Sequence, residues 1–318
     1  MASRTLQFFE STPPAADTVT EILAGLRLDD KTISPKFFYD EEGSRLFSEI
    51  TRQPEYYPTR TELGLLRQHA DAINEKLGPD CLLIEFGSGS SEKIKILLEG
   101  LRPRIYAPLD ISRDYLAEAA QSIAASYPWL EVRATCLDYT QDLSLPFELD
   151  ARPVGFFPGS SIGNFEPVDA LAFLASVRQL VGPDGTLLIG VDMKKDHGVL
   201  NAAYNDANGI TRDFNLNILS HLNSVFGFDF DTGRFEHLAF YNEDKGCIQM
   251  FLRSAVDQAV TVAEEQIEFQ AGELVHTENS FKYDVDEFLA LAAEAGFPRH
   301  DLWQDENDWF GVFLLYGS

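Results

Sequence analysis

The sequence predicts an α/β protein built on a doubly wound parallel sheet, with a second domain of mixed helices and strands. Between residues 61 and 196, apolar strand-like runs alternate with amphipathic helical runs, which favours parallel strands joined by right-handed crossovers. The first of these apolar runs ends in a glycine-rich turn, where such sheets present backbone to a ligand. The flanking regions lack this alternation. A chain of 318 residues is long enough for one large domain or two ordinary ones.

The first strand, residues 81–86, runs into the turn GSGSSEK. Gly87 and Gly89 remove side chains that would block a nucleotide-sized group, and the serines and Glu92 suit a helix N-terminus. A P-loop fits poorly, because Lys93 is neither preceded by glycine nor followed by serine or threonine. A dinucleotide turn needs a third glycine where Glu92 stands. S-adenosylmethionine (SAM), whose donor end carries no phosphate, fits the turn better.

The ends of the next strands carry polar residues that suit this cofactor. RIYAPLD ends at Asp110, at the spacing where a ribose diol is bound, although Asp110 also suits the cap of the following helix. LEVRATCLDYT ends at Asp138 and Tyr139, which we expect to contact the adenine. RPVGFFPGSSIGNFEP ends near Asn164, and TLLIGVDMKKD forms a fifth strand. Together these strand ends favour SAM over the other nucleotides.

The C-terminal segment HDLWQDENDWFGVFLLYGS predicts two strands joined by an acidic turn. An antiparallel pair at the end of a parallel sheet is typical of the Rossmann-like sheet of class I SAM-dependent methyltransferases. We therefore predict a SAM-binding domain in residues 61–196 and 286–318. An inserted α+β substrate-binding domain is predicted in residues 1–60 and 197–285.

Within the predicted second domain, residues 234–255 indicate a hairpin with the turn NEDKG, and residues 260–284 indicate one strand and a loop. Residues 31–60 are dense in aromatic residues and proline, so no regular element is expected there. In the predicted first domain, residues 61–77 suggest one helix, and VDEFLALAAEAGF suggests another that ends at Gly296.

The composition restricts the partners. Against 25 basic residues stand 51 acidic ones, giving a net charge of −26, which disfavours nucleic acid and anionic membranes. No leader and no membrane-spanning run is recognisable, and no cysteine–histidine cluster has metal-ligand spacing. Cys81, Cys136 and Cys247 are expected to be reduced core thiols of a cytoplasmic protein. We expect a monomer that binds small molecules.

Several longer motifs occur together: PKFFYDEEGSRLFSEIT, PEYYPTR, EFGSGSSEK, GSSIGNF, IQMFLR and TENSFKY. With them, the chain resembles the histidine-specific Nα-methyltransferases of ergothioneine biosynthesis, from about Leu26 to the C-terminus. The resemblance implies SAM-dependent trimethylation of the α-amino group of L-histidine. The products would be the betaine hercynine and S-adenosylhomocysteine.

The resemblance also implies site residues. The positions that match the family's SAM contacts are Gly87, Lys93, Asp110, Asp138 and Tyr139. Those that match contacts to the substrate's amino and carboxylate ends are Asn164 and Tyr204, with Tyr39 nearby, and Tyr56 matches a further substrate position. Tyr39 and Asn164 are the implied catalytic residues, and no metal is implied. Imidazole recognition is implied for Glu278 and Ser280, beside an apolar wall at Met250.

Alternatives to this interpretation remain open at the level of sequence. An NAD-dependent oxidoreductase could use the same sheet, although the turn lacks its third glycine. A SAM-binding scaffold without activity is a second alternative. A methyltransferase for another aromatic amino acid, such as tryptophan or tyrosine, is a third. Glu278, Ser280 and Met250 favour histidine among these substrates.

Overall fold

The computed structural model describes residues 6–10, 15–89, 92–140 and 143–317 of the chain. The chain falls into two compact units. The first comprises Met1–Thr12, Pro58–Lys194 and Phe281–Ser318, and the second comprises Pro13–Tyr57 and Lys195–Ser280.

Regular elements make up most of the described chain. The strands are β1 (Leu6–Glu10), β2 (Lys31–Thr32), β3 (Leu82–Phe86), β4 (Ile105–Asp110), β5 (Glu131–Cys136), β6 (Pro153–Phe157), β7 (Thr186–Asp192), β8 (Phe235–Asn242), β9 (Cys247–Ser254), β10 (Gln258–Val262), β11 (Glu265–Phe269), β12 (Leu274–Phe281), β13 (Arg299–Gln304) and β14 (Phe310–Tyr316). The α-helices are α1 (Ala15–Leu26), α2 (Glu41–Ile50), α3 (Tyr57–Gln68), α4 (Ala70–Leu77), α5 (Glu92–Leu101), α6 (Arg113–Ser126), α7 (Pro167–Val181), α8 (His197–Ala203), α9 (Ile210–Phe226) and α10 (Val285–Glu294). Short 3₁₀ turns lie at Pro35–Phe38, Ser161–Asn164 and Thr232–Arg234.

The first unit is organised around an eight-stranded sheet with the order β1-β5-β4-β3-β6-β7-β14-β13. Strands β1 and β3–β7 are parallel, and β14 runs antiparallel to both β7 and β13. Strands β3 and β7 are buried along their whole length, as their mainly apolar sequences predict. The predicted α/β sheet with a terminal antiparallel pair is confirmed. The strand order reverses between β3 and β6, where folds of this kind bind ligands at the carboxyl ends of the strands.

The N-terminal strand corrects the predicted division of the chain. Residues 1–60 were assigned to the second domain, but Leu6–Glu10 pairs in parallel with β5 and belongs to the first unit. Its partner lies more than a hundred residues further along the chain, so no local pattern in the sequence reveals the pairing. The other boundaries also differ from the prediction, because the first unit resumes at Pro58 and at Phe281.

The second unit contains a four-stranded sheet with the order β2-β12-β9-β8. Strands β8 and β9 form the predicted hairpin, closed where Asn242 pairs with Cys247, and β2 runs parallel to β12. Helix α9 packs against α2 and against the β8–β9 hairpin. Strands β10 and β11 form a separate antiparallel hairpin. Residues 260–284 therefore hold β11, β12 and the end of β10 rather than the one strand expected.

Helix α2 lies in the segment 31–60, where no regular element was expected. Asp40 caps it, since its Oδ1 accepts hydrogen bonds from Gly43 N–H at 2.7 Å and from Asn217 Nδ2 at 2.8 Å. A Cβ added at Gly43 would lie 1.7 Å from the Phe38 carbonyl oxygen, so the helix start packs tightly against the preceding turn. The surrounding aromatic residues and prolines obscured this helix in the sequence.

One predicted helix is divided in the structure, and the cysteines are buried as predicted. The helix expected over residues 61–77 is interrupted at His69, which separates α3 from α4. All three cysteines are buried and none forms a disulfide. Among the described residues, no helix has the length and apolar character needed to cross a membrane.

Candidate active site

The glycine turn after β3 has the geometry that its sequence predicts. Gly87 has φ of +76°, a conformation that favours glycine, and its N–H donates to the Leu109 carbonyl oxygen at 2.8 Å. A Cβ added at Gly87 would lie 3.2 Å from Tyr139 Oη, so the turn passes close to the end of β5. Among the described residues, no heavy atom would lie within 4 Å of a Cβ added at Gly89. The expectation about the serines at positions 90 and 91 lies outside the described residues.

Asp110 ends β4, the strand beside β3. Its Oδ1 accepts a hydrogen bond from Ser112 N–H at 2.8 Å, so the carboxylate closes the turn before α6. Burial raises the pKa of Asp110 to about 6, although part of the residue reaches solvent. The side chain therefore closes a turn onto Ser112, the N-cap residue of α6, and does not itself cap the helix as one reading of the sequence expected. It lies at the strand end where the other reading expects a ribose contact.

Asp138 and Tyr139 follow β5. Thr140 donates to Asp138 Oδ1 through its N–H at 3.1 Å and its hydroxyl at 2.5 Å, which anchors the carboxylate. The half-buried Tyr139 ring meets the rings of Phe86 and Phe157 nearly at right angles, with centroid distances of 6.2 and 6.1 Å. These rings form an apolar wall beside the glycine turn, and such a wall can accommodate a flat heterocycle.

Lys93 forms an ion pair that the sequence analysis missed. Its Nζ lies 2.5 Å from the carboxylate of Glu62, and the Glu62 side chain is 1 % exposed. Glu62 also accepts the N–H of Gly159, at 3.1 and 2.9 Å to its two oxygens. A signal was present, because Glu62 precedes Leu65 and Leu66 by three and four positions and therefore lies on the apolar face of α3.

A second buried acid lies beneath the turn. Glu85, within β3, accepts a hydrogen bond from Tyr106 Oη, and burial raises the pKa of Glu85 to about 8. The nearby Lys93 opposes that rise. A single acid in an otherwise apolar strand is the signal in the sequence that could have marked this residue.

Asn164 ends the 3₁₀ turn that follows β6. Before this turn, Ser160 has φ of +59°, and its Oγ accepts Asp192 N–H at 2.9 Å. Within the turn, a Cβ added at Gly163 would lie 2.6 Å from the Phe281 carbonyl oxygen. The turn is held on two sides, and this restricts the position of the half-buried Asn164.

A buried ion pair supports the same end of the sheet. Lys282, in the motif TENSFKY, lies 2.8 Å from the carboxylate of Asp192 at the end of β7. Both side chains are almost fully buried. Neither residue was singled out in the sequence, where a lysine between two aromatic residues gave no sign of burial.

In the second unit, the three predicted tyrosines belong to one aromatic cluster. Tyr39 packs edge-on against Phe47 and Phe214, with centroid distances of 6.1 and 6.0 Å. Tyr56 packs similarly against Phe47 at 6.4 Å and against Tyr204 at 6.2 Å. Phe47 and Phe214 connect the cluster and were not predicted. In the sequence, these aromatic residues cannot be told from ordinary core residues, so only the fold reveals the cluster.

Tyr204 is fixed by hydrogen bonds at both ends. Its Oη donates to Ser280 Oγ at 2.8 Å, which joins two of the predicted residues directly. Its carbonyl oxygen accepts from His237 Nε2 at 3.0 Å, while His237 Nδ1 lies 2.9 Å from Asn215 Nδ2. Because the Asn215 amide nitrogen is a donor, His237 carries its proton on Nε2. Burial lowers the pKa of His237, which favours this neutral form.

Strand β12 is irregular where it carries the E-x-S triplet. The His276 ring lies 5.2 Å from the Phe251 ring, and Asn279 accepts a hydrogen bond from Gln249 at 3.2 Å. Phe251 and Gln249 lie on one face of β9, so His276 and Asn279 share a face of β12. Residues three apart on a regular strand lie on opposite faces, and the alternation is therefore interrupted between these two.

The opposite face carries the residues predicted to recognise imidazole. Ser280 follows Asn279 and turns to this face, where it meets Tyr204. Met250 is buried on β9 between Gln249 and Phe251. Because side chains alternate along a strand, Met250 points away from their face and lies on the face of Ser280. Glu278 is buried, and its i, i+2 spacing to Ser280 favours that face as well.

The fold and these two groups of residues define a class of protein. A doubly wound sheet with a terminal antiparallel pair, a glycine turn after β3 and acids at the next two strand ends is the arrangement of a SAM-dependent methyltransferase. The family described as histidine-specific, SAM-dependent methyltransferases matches residues 18–316. The chain belongs to this family.

Individual relatives agree with this assignment. The chain is 40 % identical to the histidine N-alpha-methyltransferase of Mycolicibacterium smegmatis, over 94 % of this chain and 96 % of the relative. It is 32 % identical to ergothioneine biosynthesis protein 1 of Neurospora crassa, over 94 % of this chain but 35 % of that longer protein. It is 27 % identical to a 4-dimethylallyltryptophan N-methyltransferase of Claviceps purpurea, over 93 % of both chains.

Proposed function

We propose that the protein transfers methyl groups from SAM to the α-amino group of L-histidine, giving hercynine and S-adenosylhomocysteine as a step towards ergothioneine. The family match over residues 18–316 supports this proposal, as do the histidine and ergothioneine relatives. One structural observation carries the choice of substrate. Tyr204 donates a hydrogen bond to Ser280, and Glu278, two positions before Ser280, is buried.

The cofactor fits the residues at the carboxyl ends of β3, β4 and β5. SAM, when bound, supplies a methyl group on a sulfonium. Transfer of that methyl group releases the neutral thioether S-adenosylhomocysteine, a good leaving group, so no metal is needed. The open glycine turn would admit its methionine part near Lys93, while Asp110 would accept hydrogen bonds from the ribose diol. Asp138 and the Tyr139 wall would hold the adenine.

The amino group has to present a lone pair for an in-line displacement, so its ammonium form has to lose a proton first. We propose that the Asn164 side chain orients the amine, because an amide can accept from N–H and donate to the carboxylate. Tyrosine hydroxyls at Tyr39 and Tyr204 would bond the substrate's polar end. Their rings tolerate the growing positive charge through cation–π attraction of about 1–2 kcal/mol. Such rings still attract the trimethylated nitrogen, which has no N–H left to donate.

The imidazole would be recognised by complementary hydrogen bonds. Glu278 would accept the ring N–H, and Ser280 can donate to or accept from the other ring nitrogen. A buried carboxylate that loses its partner carries a large penalty, so this arrangement discriminates against amino acids without a ring N–H. The apolar Met250 limits the size of the ring on the same face.

Mass spectrometry of the purified protein with SAM and an amino acid tests the proposal. We expect histidine to gain up to three methyl groups and tryptophan and tyrosine to remain unmodified. Turnover of tryptophan instead of histidine would identify the alternative methyltransferase. An absence of turnover with all three would contradict the proposed activity and point to a SAM-binding scaffold, or to the NAD enzyme if calorimetry detects NAD binding.

We further propose that the protein acts as a monomer in the cytoplasm, without nucleic-acid or membrane partners. The net charge of −26 supports the absence of such partners, because both present negative surfaces. Light scattering at several protein concentrations tests the monomer directly.

A further inference from the structure

Glu62 is a buried carboxylate with partners on two separate loops of the first unit. It forms the ion pair with Lys93 at 2.5 Å and accepts the Gly159 N–H with both oxygens, at 3.1 and 2.9 Å. The neighbouring strand β7 makes room for it, since a Cβ added at Gly190 would lie 2.1 Å from Glu62 Oε1. The carboxylate of Glu62 therefore adjoins three segments besides its own helix α3: the start of α5, the loop after β6, and β7.

A carboxylate in this position is costly unless it is paired and hydrogen-bonded. Removing one member of a buried ion pair leaves the other charge uncompensated. Hydrophobic residues would fill the same space at lower cost, so core packing alone does not explain an acid here. The positions of its two partners offer an explanation.

Both partners belong to segments expected to handle the reactants, one a helix start and the other a loop. Lys93 lies in the first turn of α5, directly after the glycine turn of β3. Gly159, with φ of +82°, begins the loop after β6 that leads to Asn164. Strands β3 and β6 are hydrogen-bonded neighbours at the point where the strand order reverses. Glu62 thus holds the loops of two adjacent strands at their carboxyl ends.

We propose that Glu62 is a positioning residue for methyl transfer, which fixes the Lys93 turn relative to the Asn164 loop. This inference rests on the proposed function, because it assigns the methyl donor to the first loop and the amine to the second. Reaction by direct displacement depends steeply on the separation of the reacting atoms. A carboxylate that binds both loops would therefore affect the rate without touching either reactant.

Glu62→Gln tests the proposal. Glutamine keeps an acceptor for Gly159 N–H and removes the charge that pairs with Lys93. We expect kcat to fall about 10- to 100-fold and the KM for SAM to rise, with a smaller change in the KM for histidine. Rates are expressed per site that binds S-adenosylhomocysteine in calorimetry, so a mere loss of folded protein would not change them.

Glu131→Gln is the matched control. Glu131 pairs with Arg133 at 2.8 Å in the same unit, at the opposite, amino-terminal end of β5. We expect this variant to retain the wild-type kcat and both KM values. If Glu62→Gln fails to fold, Glu62→Asp replaces it: the charge stays, but the shorter side chain cannot reach both partners, and the same fall in kcat is expected.

Folded Glu62→Gln or Glu62→Asp with kcat and KM for SAM within about twofold of wild type would overturn the proposal. That result is distinct from failure of the proposed function, in which the wild-type protein itself would not methylate histidine. In that case calorimetry with S-adenosylhomocysteine still tests the pairing of Glu62 with Lys93. Unchanged affinity in Glu62→Gln would then exclude a role for Glu62 at the donor turn.

Discussion

At the scale of single residues, three acidic side chains are buried in different surroundings. Glu62, Glu85 and Glu278 are all buried, although glutamate is usually found at the protein surface. Their environments differ: Glu62 pairs with Lys93, Glu85 accepts a hydrogen bond from Tyr106, and Glu278 lies in β12 two positions before Ser280. The same type of side chain therefore serves as a structural anchor, as a core group whose pKa is raised by burial, and as a proposed substrate contact.

Glu278→Ala combined with Met250→Ala should broaden the substrate range. We expect kcat/KM for histidine to fall about 10- to 100-fold, because a hydrogen bond to a charged group is lost. The larger space should admit bulkier aromatic amino acids such as tryptophan. Competition assays with mixed amino acids, followed by mass spectrometry, measure both effects. The exposed Glu268→Ala on β11 is the control, and unchanged kcat/KM for histidine in the double variant would exclude the predicted role.

Asp110 should make cofactor affinity depend on pH. Its pKa of about 6 in the folded protein exceeds the ordinary value of 3.8, because burial disfavours the charged carboxylate. The folded state thus binds more protons than the unfolded one, and Asp110's contribution to the free energy of unfolding falls as pH rises from 4 through 6. A ribose diol donates hydrogen bonds to the charged carboxylate, so the affinity for the cofactor should rise as pH rises through 6.

We expect the affinity for S-adenosylhomocysteine to weaken about tenfold for each pH unit below 6. Calorimetric titrations between pH 5 and 7 measure this, with Asp110→Asn as the comparison. Asp110→Asn should bind weakly and without that pH dependence. An identical pH dependence in both proteins would show that another group titrates.

At the scale of elements, the loops after the strands are held by close backbone approaches. Gly163 allows the Asn164 turn to contact the backbone of Phe281, and Gly43 allows α2 to start against Phe38. Asp40 supplies a hydrogen-bond acceptor for the Gly43 N–H at the start of α2. Gly87 adopts its positive φ at little energetic cost.

Gly163→Ala should disturb the Asn164 turn. Its Cβ would lie 2.6 Å from the Phe281 carbonyl oxygen, so backbone has to move, at a cost of about 1–3 kcal/mol. Gly64→Ala, on the exposed side of α3 with no atom within 4 Å of the new Cβ, should instead leave stability unchanged or raise it by about 0.5–1 kcal/mol. Urea unfolding and kcat measure both variants, and wild-type values for Gly163→Ala would contradict the close approach.

At the scale of the whole molecule, each unit carries a defined share of the predicted residues. The first unit holds the five expected cofactor residues and Asn164, and the second holds the tyrosines and the imidazole-recognising group. The sequence-based division was correct for these residues but wrong for β1, whose pairing depends on a distant strand.

Periodicity and local turn chemistry determined the parallel sheet, the terminal strand pair and the glycine turn, because hydrophobic spacing and glycine conformations are local properties of the chain. Motifs identified the family and most of the proposed contact residues. The tertiary structure alone decided the pairing of Glu62 with Lys93 and Gly159, the cluster around Phe47 and Phe214, and the burial of Glu278 in an irregular strand. Each of these depends on segments far apart in the chain, and their contacts leave no periodic trace in the sequence.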